Sequence, residues 1–229
     1  GVNVFLMFFN LLPIPPLDGS RIIASFSNRF DQFIHSEKGA ILALVGLILV
    51  IGPFGGKVQT FALTSARMLC VAAAQAFGGV DIFVGNAASG VLKPVVEQQP
   101  KGWEWTININ ARSILFGAQA AAPYMMARGW GRIIGITSFG SRRVLPEYSV
   151  VGVSKAAIEA LIRYLAVELA PHGIVCNTVS PGVVETEALD FFPSKDAILS
   201  EGLRRTPAGR LVTPEEIARL VAWLCTDED

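Results

Sequence analysis

From about residue 60 onward, apolar and polar positions follow two alternating periods. Phe61 to Phe77 has the three-to-four spacing of a half-buried helix, and Gly78-Gly79 ends it before a short apolar run, Val80 to Val84, that predicts a buried strand. A long helix follows from about Trp103 to Ala127, broken by Gly129 and Gly131. Arg132 to Thr137 is the next predicted strand, trailed by a loop rich in glycine, serine and arginine. Ser149 to Ala170 reads as a helix ended by Pro171-His172-Gly173, and Ile174 to Val179 as a third strand that stops at Ser180-Pro181-Gly182. Buried strands separated by crossover helices imply a parallel α/β sheet, doubly wound.

Residues 1–57 have a different character, with seven charged residues and the apolar runs Val2 to Leu12 and Ile41 to Ile51. Between Lys38 and Lys57 lie 18 uncharged residues, which at about 1.5 Å per residue only just approach a hydrocarbon core of about 30 Å. A membrane-contacting helix and a buried helix closed by Gly52-Pro53-Phe54-Gly55-Gly56 are both open readings. The expected organisation is therefore an apolar helical segment, 1–57, followed by an α/β domain, 58–229. The chain starts at Gly1 and no closing strand follows its last helical run. The sheet is expected to be incomplete.

Composition narrows the function classes. A hydrophobic share of 52% is ample for a core, and 19 basic against 19 acidic residues provide no field to gather nucleic acid. Cys70, Cys176 and Cys225 have no CxxC spacing, and His35 and His172 are far apart, so no zinc pair or serine triad is visible and no metal site is assigned. No basic stretch with a small-residue cleavage site marks a secretory signal, so a cytoplasmic location is expected, with membrane association through residues 1–57 as the alternative.

The run Asn10-Leu11-Leu12-Pro13-Ile14-Pro15-Pro16-Leu17-Asp18-Gly19 resembles the asparagine-proline-aspartate-glycine motif of the site-2 protease family of intramembrane metalloproteases. The resemblance implies that Asp18 descends from a zinc ligand. The HExxH helix that supplies the family's other ligands is absent from the sequence, and one carboxylate cannot hold a catalytic zinc.

In open α/β sheets chemistry collects where strands end. The first predicted strand ends at Gly85-Asn86-Ala87-Ala88-Ser89, the second at Thr137-Ser138 and the third at Ser180-Pro181-Gly182-Val183-Val184-Glu185-Thr186, with Tyr148 and Lys155 between the last two. Taken singly these residues read as turn, cap or packing positions, as do Trp103 and Trp105 against the long helix. Together, over about residues 60–229, they resemble the short-chain dehydrogenase/reductase superfamily. Asn86-Ala87-Ala88 is similar to its NNAG turn, with Gly85 in place of the first asparagine; Asn110 matches its helix asparagine, and Pro181-Gly182 through Val184 to Thr186 its nicotinamide-gripping PGxxxT loop.

Most members of that superfamily have a tyrosine four residues before the lysine, where this chain has Val151; Tyr148 lies seven before Lys155. That spacing, with Gly140-Ser141-Arg142-Arg143 and Leu145-Pro146-Glu147-Tyr148, resembles the NADPH-using enoyl-acyl-carrier-protein reductases. The resemblance implies reduction of an enoyl thioester, carried by acyl carrier protein or CoA, with NADPH as cofactor and NADH as the alternative. Tyr148 is then the oxyanion donor and proton source, Lys155 lowers the phenol from its usual ~10 and binds the nicotinamide ribose, Ser138 adds a hydrogen bond and Asn110 holds a relay water. Asn86, Ala87, Ala88, Pro181, Gly182, Val184 and Thr186 line the cofactor, and a homo-oligomer through the long helices is implied. A short-chain ketoreductase is the nearest rival, and a non-catalytic fragment of a fused membrane metalloprotease is the rival of another class. The resemblance implies a Rossmann-like sheet that starts with strand, glycine-rich turn and helix; no GxxxGxG turn follows a strand in the sequence, so the N-terminal strands are expected to be missing, the pyrophosphate-binding positions have no assignment and the competence of the chain is in question.

Overall fold

The computed structural model describes residues 68, 70–186, 189 and 194–226. The readings made for residues 1–57, including Asp18 and the apolar stretch before Lys57, lie outside the described residues. Among the described residues no helix is long and apolar enough to cross a membrane.

A helix through residues 70–77 (α1) turns at Gly78 into β1 (Ile82–Gly85). Next come α2 (Pro100–Ile107), a π-helical segment (Asn108–Arg112) and α3 (Ser113–Arg128), then β2 (Gly131–Ile136), α4 (Ser149–Leu169) and β3 (Ile174–Val179). Helices α5 (Lys195–Arg205) and α6 (Pro214–Leu224) complete the described part. The three strands form a parallel sheet in the order β1-β2-β3, with Ile82 opposite Arg132 and Gly131 opposite Ile174. Each parallel pair needs a crossover, which α2 with α3 and then α4 provide.

The period of two along each strand divides the core. Phe83, Ile133, Ile174 and Cys176 face Ala118, Ala121 and Met125 of α3 and Ile158 and Ile162 of α4, joined by Cys70 and Ala73 of α1. Ile82, Val84, Ile134 and Val179 face the other way, onto Ala218, Val221 and Cys225 at α6. Burying each such aliphatic side chain is worth about 1.5–3 kcal/mol. Helix α6 starts at a capping box in which Thr213 Oγ1 accepts from Glu216 N–H, while the Glu216 carboxylate accepts from Thr213 N–H. The three thiols are buried; burial pushes Cys70 and Cys176 up to about 11 and Cys225 to about 12, so they serve as apolar packing.

Two details depart from the sequence expectation. The long helix begins at Pro100 rather than near Trp103, and its middle widens into the π-helical turn around Asn110. Trp103 and Trp105 do not pack inward: they are 46% and 44% exposed.

Candidate active site

The carboxyl ends of the strands open on one edge of the sheet, and the loops leaving them carry the predicted site residues. After β2 the chain passes Thr137 and Ser138 into a short 3-10 turn, Phe139–Ser141, in which Ser141 N–H donates to Ser138 O at 3.0 Å. It returns through Glu147 to Tyr148, which is the N-cap residue of α4, one position outside the helix rather than on its face. Glu147 has φ +59, the left-handed region that a β-carbon disfavours, and costs about 1–3 kcal/mol there. Lys93 N–H, on the loop after β1, donates to Glu147 O at 3.1 Å and holds that backbone in place.

This arrangement lays the Tyr148 ring against the Ser138 loop. Tyr148 Oη and Ser138 Oγ stand 3.4 Å apart, a pair in which either hydroxyl donates. A β-carbon on Gly140 would lie 2.5 Å from Tyr148 Cε1, so only glycine lets the loop close over the ring. Gly152 N–H donates to Tyr148 O at 2.7 Å, which anchors the tyrosine's own backbone to the first turn of α4.

Lys155 is 5% exposed and its ammonium donates to Ile136 O at 2.9 Å. Burial lowers it from 10.5 to about 8. The expectation that Lys155 lowers the tyrosine needs correction: burial pushes the phenol above its ordinary value, and the hydrogen bond with Ser138 is what pulls it down. Desolvation of a group that ionises to an anion outweighs one neutral hydrogen bond.

Asn110 lies in the π-helical turn, fully buried. Its Oδ1 accepts from Ser89 N–H at 2.8 Å and its Nδ2 donates to Ser154 Oγ at 2.7 Å, and Ser154 Oγ in turn donates to Val151 O at 2.7 Å. The amide braces the loop after β1 against α4. An extra residue in a helical turn is a recurrent device at functional sites, and here it brings the amide between the loop after β1 and α4.

The residues expected at a dinucleotide follow β1 and β3, the strands on either side of β2. Ala87 is buried, Asn86 half-buried and Ala88 exposed after β1; Pro181, Val184 and Thr186 are half-buried and Gly182 exposed after β3. Nothing lies within 4 Å of where a Gly182 β-carbon would stand. A buried ammonium has three N–H groups, and among the described residues Lys155 uses one of them, on Ile136 O. Donors left over beside small residues at two strand ends fit the ribose and carboxamide of a nicotinamide nucleotide.

Sequence reasoning passed over Glu159 and Ser154. Glu159 is 8% exposed, and its carboxylate accepts from Thr137 Oγ1 at 3.0 Å, Ser141 Oγ at 2.5 Å and Arg142 Nε at 3.2 Å. Burial raises it, but those three hydrogen bonds and the Arg142 charge outweigh burial and leave it below its ordinary value. Its position one helical turn after Lys155 was the available signal.

Comparisons with known proteins agree with this geometry. The family model described as enoyl-(acyl carrier protein) reductase matches residues 63–229, and a second, peptidase family M50, matches residues 1–53. The chain is 39% identical over 156 residues to a 1-cyclohexenylcarbonyl-CoA reductase of Streptomyces collinus, covering 67% of this chain and 55% of that protein. It is 34% identical over 157 residues to an L-xylulose reductase of Bos taurus, covering 67% of this chain and 64% of that one. The chain thus spans between about half and two thirds of the length of these relatives. A solved structure of a Thermus thermophilus protein superposes with a TM-score of 0.67 at 35% identity, over 71% of this chain and 69% of that one. The fold is a Rossmann-like parallel sheet with flanking helices, and the chain belongs to the short-chain dehydrogenase/reductase superfamily.

Proposed function

We propose that the chain carries the substrate-facing half of an NAD(P)H-dependent reductase in which Tyr148 and Ser138 receive a substrate carbonyl oxygen. The observation that carries this reading is the 3.4 Å pairing of Tyr148 Oη with Ser138 Oγ at the end of β2. When bound, the nicotinamide supplies the hydride. Tyr148 meets the oxygen on which negative charge develops, and the phenol proton passes to it. Because burial raises the phenol, Tyr148 is protonated at neutral pH, the state that reduction needs and alcohol oxidation does not. Lys155, a buried ammonium held on Ile136 O at the end of β2, has N–H groups left to bind the nucleotide ribose.

Reduction of a ketone to an alcohol is the first reading, supported by the Ser–Tyr pair and by a relative named for a ketose. Reduction of an enoyl thioester is the second, favoured by Val151 at the place where most of the superfamily has its tyrosine, and by a relative named for a cyclohexenylcarbonyl-CoA. The same pair serves both, since hydride addition to the β-carbon of a conjugated thioester also places charge on the carbonyl oxygen. NADPH oxidation by the purified protein with acetoacetyl-CoA and with crotonyl-CoA separates the two. Tyr148→Phe is expected to lower kcat by about 10²-fold or more with either substrate; unchanged turnover removes Tyr148 from the reaction.

The exposed apolar side chains Leu115, Val153, Tyr164 and Val167 on α3 and α4 support the expected homo-oligomer through the long helices. Residues 1–57 are proposed as a separate unit.

A further inference from the structure

We propose that Glu159 is a positioning residue for the reaction, setting where Ser138 stands against Tyr148. This rests on the assignment of the Ser138–Tyr148 pair. Ser138 is held from both sides by one carboxylate: its predecessor Thr137 and the residue three after it, Ser141, both donate to Glu159 Oε1, at 3.0 and 2.5 Å. Each of those hydroxyls has a single proton and a second acceptor within reach, Lys155 O at 3.2 Å for Thr137 and Ser138 O at 2.8 Å for Ser141. The anionic oxygen is the stronger acceptor, so it takes both protons and draws the two flanks of Ser138 onto α4. Arg142 closes the other carboxylate oxygen at 3.2 Å.

Lys155 and Glu159 are successive turns of one helix face, so the same stretch of α4 that presents the ammonium also fixes the loop carrying the serine. Removing the carboxylate need not unfold the turn, because both hydroxyls fall back on the neighbouring carbonyls. What changes is the register of the Ser138 loop against the Tyr148 ring, where the Oγ–Oη separation of 3.4 Å already leaves little slack.

The test is a double-mutant cycle in the purified protein, scored by kcat and by KM for the nucleotide. Glu159→Leu is expected to lower kcat by roughly 10- to 10²-fold with KM for NADPH held within about twofold, because a shift of about an ångström at a positioned group costs that much. Glu159→Gln keeps an acceptor oxygen for Thr137 and Ser141 but not the charge that outcompetes the neighbouring carbonyls, and its rate is expected to fall between those of the parent and Glu159→Leu. If Glu159 acts through Ser138, adding Glu159→Leu to Ser138→Ala lowers kcat no further. An additive double mutant, or Glu159→Leu at the parental rate, overturns the inference. A second measurement does not depend on turnover: with loss of the Ser138 bond the Tyr148 phenol, followed by isotope-edited NMR, titrates higher in Glu159→Leu than in the parent, and an unmoved phenol also overturns it. Failure of the underlying assignment has a separate signature, full activity in both Tyr148→Phe and Ser138→Ala, and the inference then falls with it.

Discussion

Val151 lies against Gly90 so closely that a β-carbon on the glycine would stand 2.2 Å from Val151 Cγ2. Val151 is 7% exposed and holds the position, four before Lys155, at which most of the superfamily has its tyrosine. The side chain at that position is thus packed under the loop that follows β1, while the phenol enters the site from Tyr148, at the cap of the helix. Gly90→Ala is expected to destabilise the fold by about 1–3 kcal/mol through overpacking, and Val151→Ala in the same chain to recover much of the loss. Urea unfolding of the two single variants and the double measures this; additive losses would mean that the two residues do not share the contact.

The buried ammonium of Lys155 works against the fold at neutral pH. With the folded value at about 8 and the ordinary one at 10.5, the native state loses its proton first, so between those values the unfolded chain binds more protons and stability rises with pH. Below about 8 the full penalty, of order 3 kcal/mol, is present; above 10.5 it is gone. Lys155→Met is expected to be inactive yet more stable than the parent by roughly 1–3 kcal/mol near neutrality, with the gap closing as pH rises toward the ordinary lysine value. Equal stability of parent and variant across that range would count against a penalised ammonium.

Glu147 precedes Tyr148 with φ +59, a conformation that glycine adopts without cost. Glu147→Gly is expected to raise unfolding stability by about 0.5–1 kcal/mol, since the relieved strain exceeds the added chain entropy of the unfolded state. The Lys93 N–H bond to Glu147 O uses backbone atoms alone and survives the change. Thermal melts of the two proteins decide it, and a less stable glycine variant would show that the glutamate side chain contributes more than its backbone costs.

The sequence by itself determined the order of strands and helices from residue 70 to 179, because the periods of two and of three to four are imposed by which side of each element meets the core. Ile174 to Val179 was legible to the residue, and the other strands to within two positions, since glycine and proline punctuate their ends. The spacing of seven between Tyr148 and Lys155 was legible because it is a property of the chain alone. What only the tertiary structure decided depends on groups distant in sequence. Glu159 reads as an ordinary charged helix residue until Thr137, Ser141 and Arg142, 17 to 22 positions away, converge on it. Asn110 reads as a family match until its amide is seen spanning 21 residues to Ser89 and 44 to Ser154. Trp103 and Trp105 show the converse, apolar by type and expected to pack, yet left outside by the helix that carries them. The direction in which Tyr148 shifts belongs to the same class: proximity to a lysine in sequence suggested a lowered phenol, and burial, which no spacing encodes, raised it.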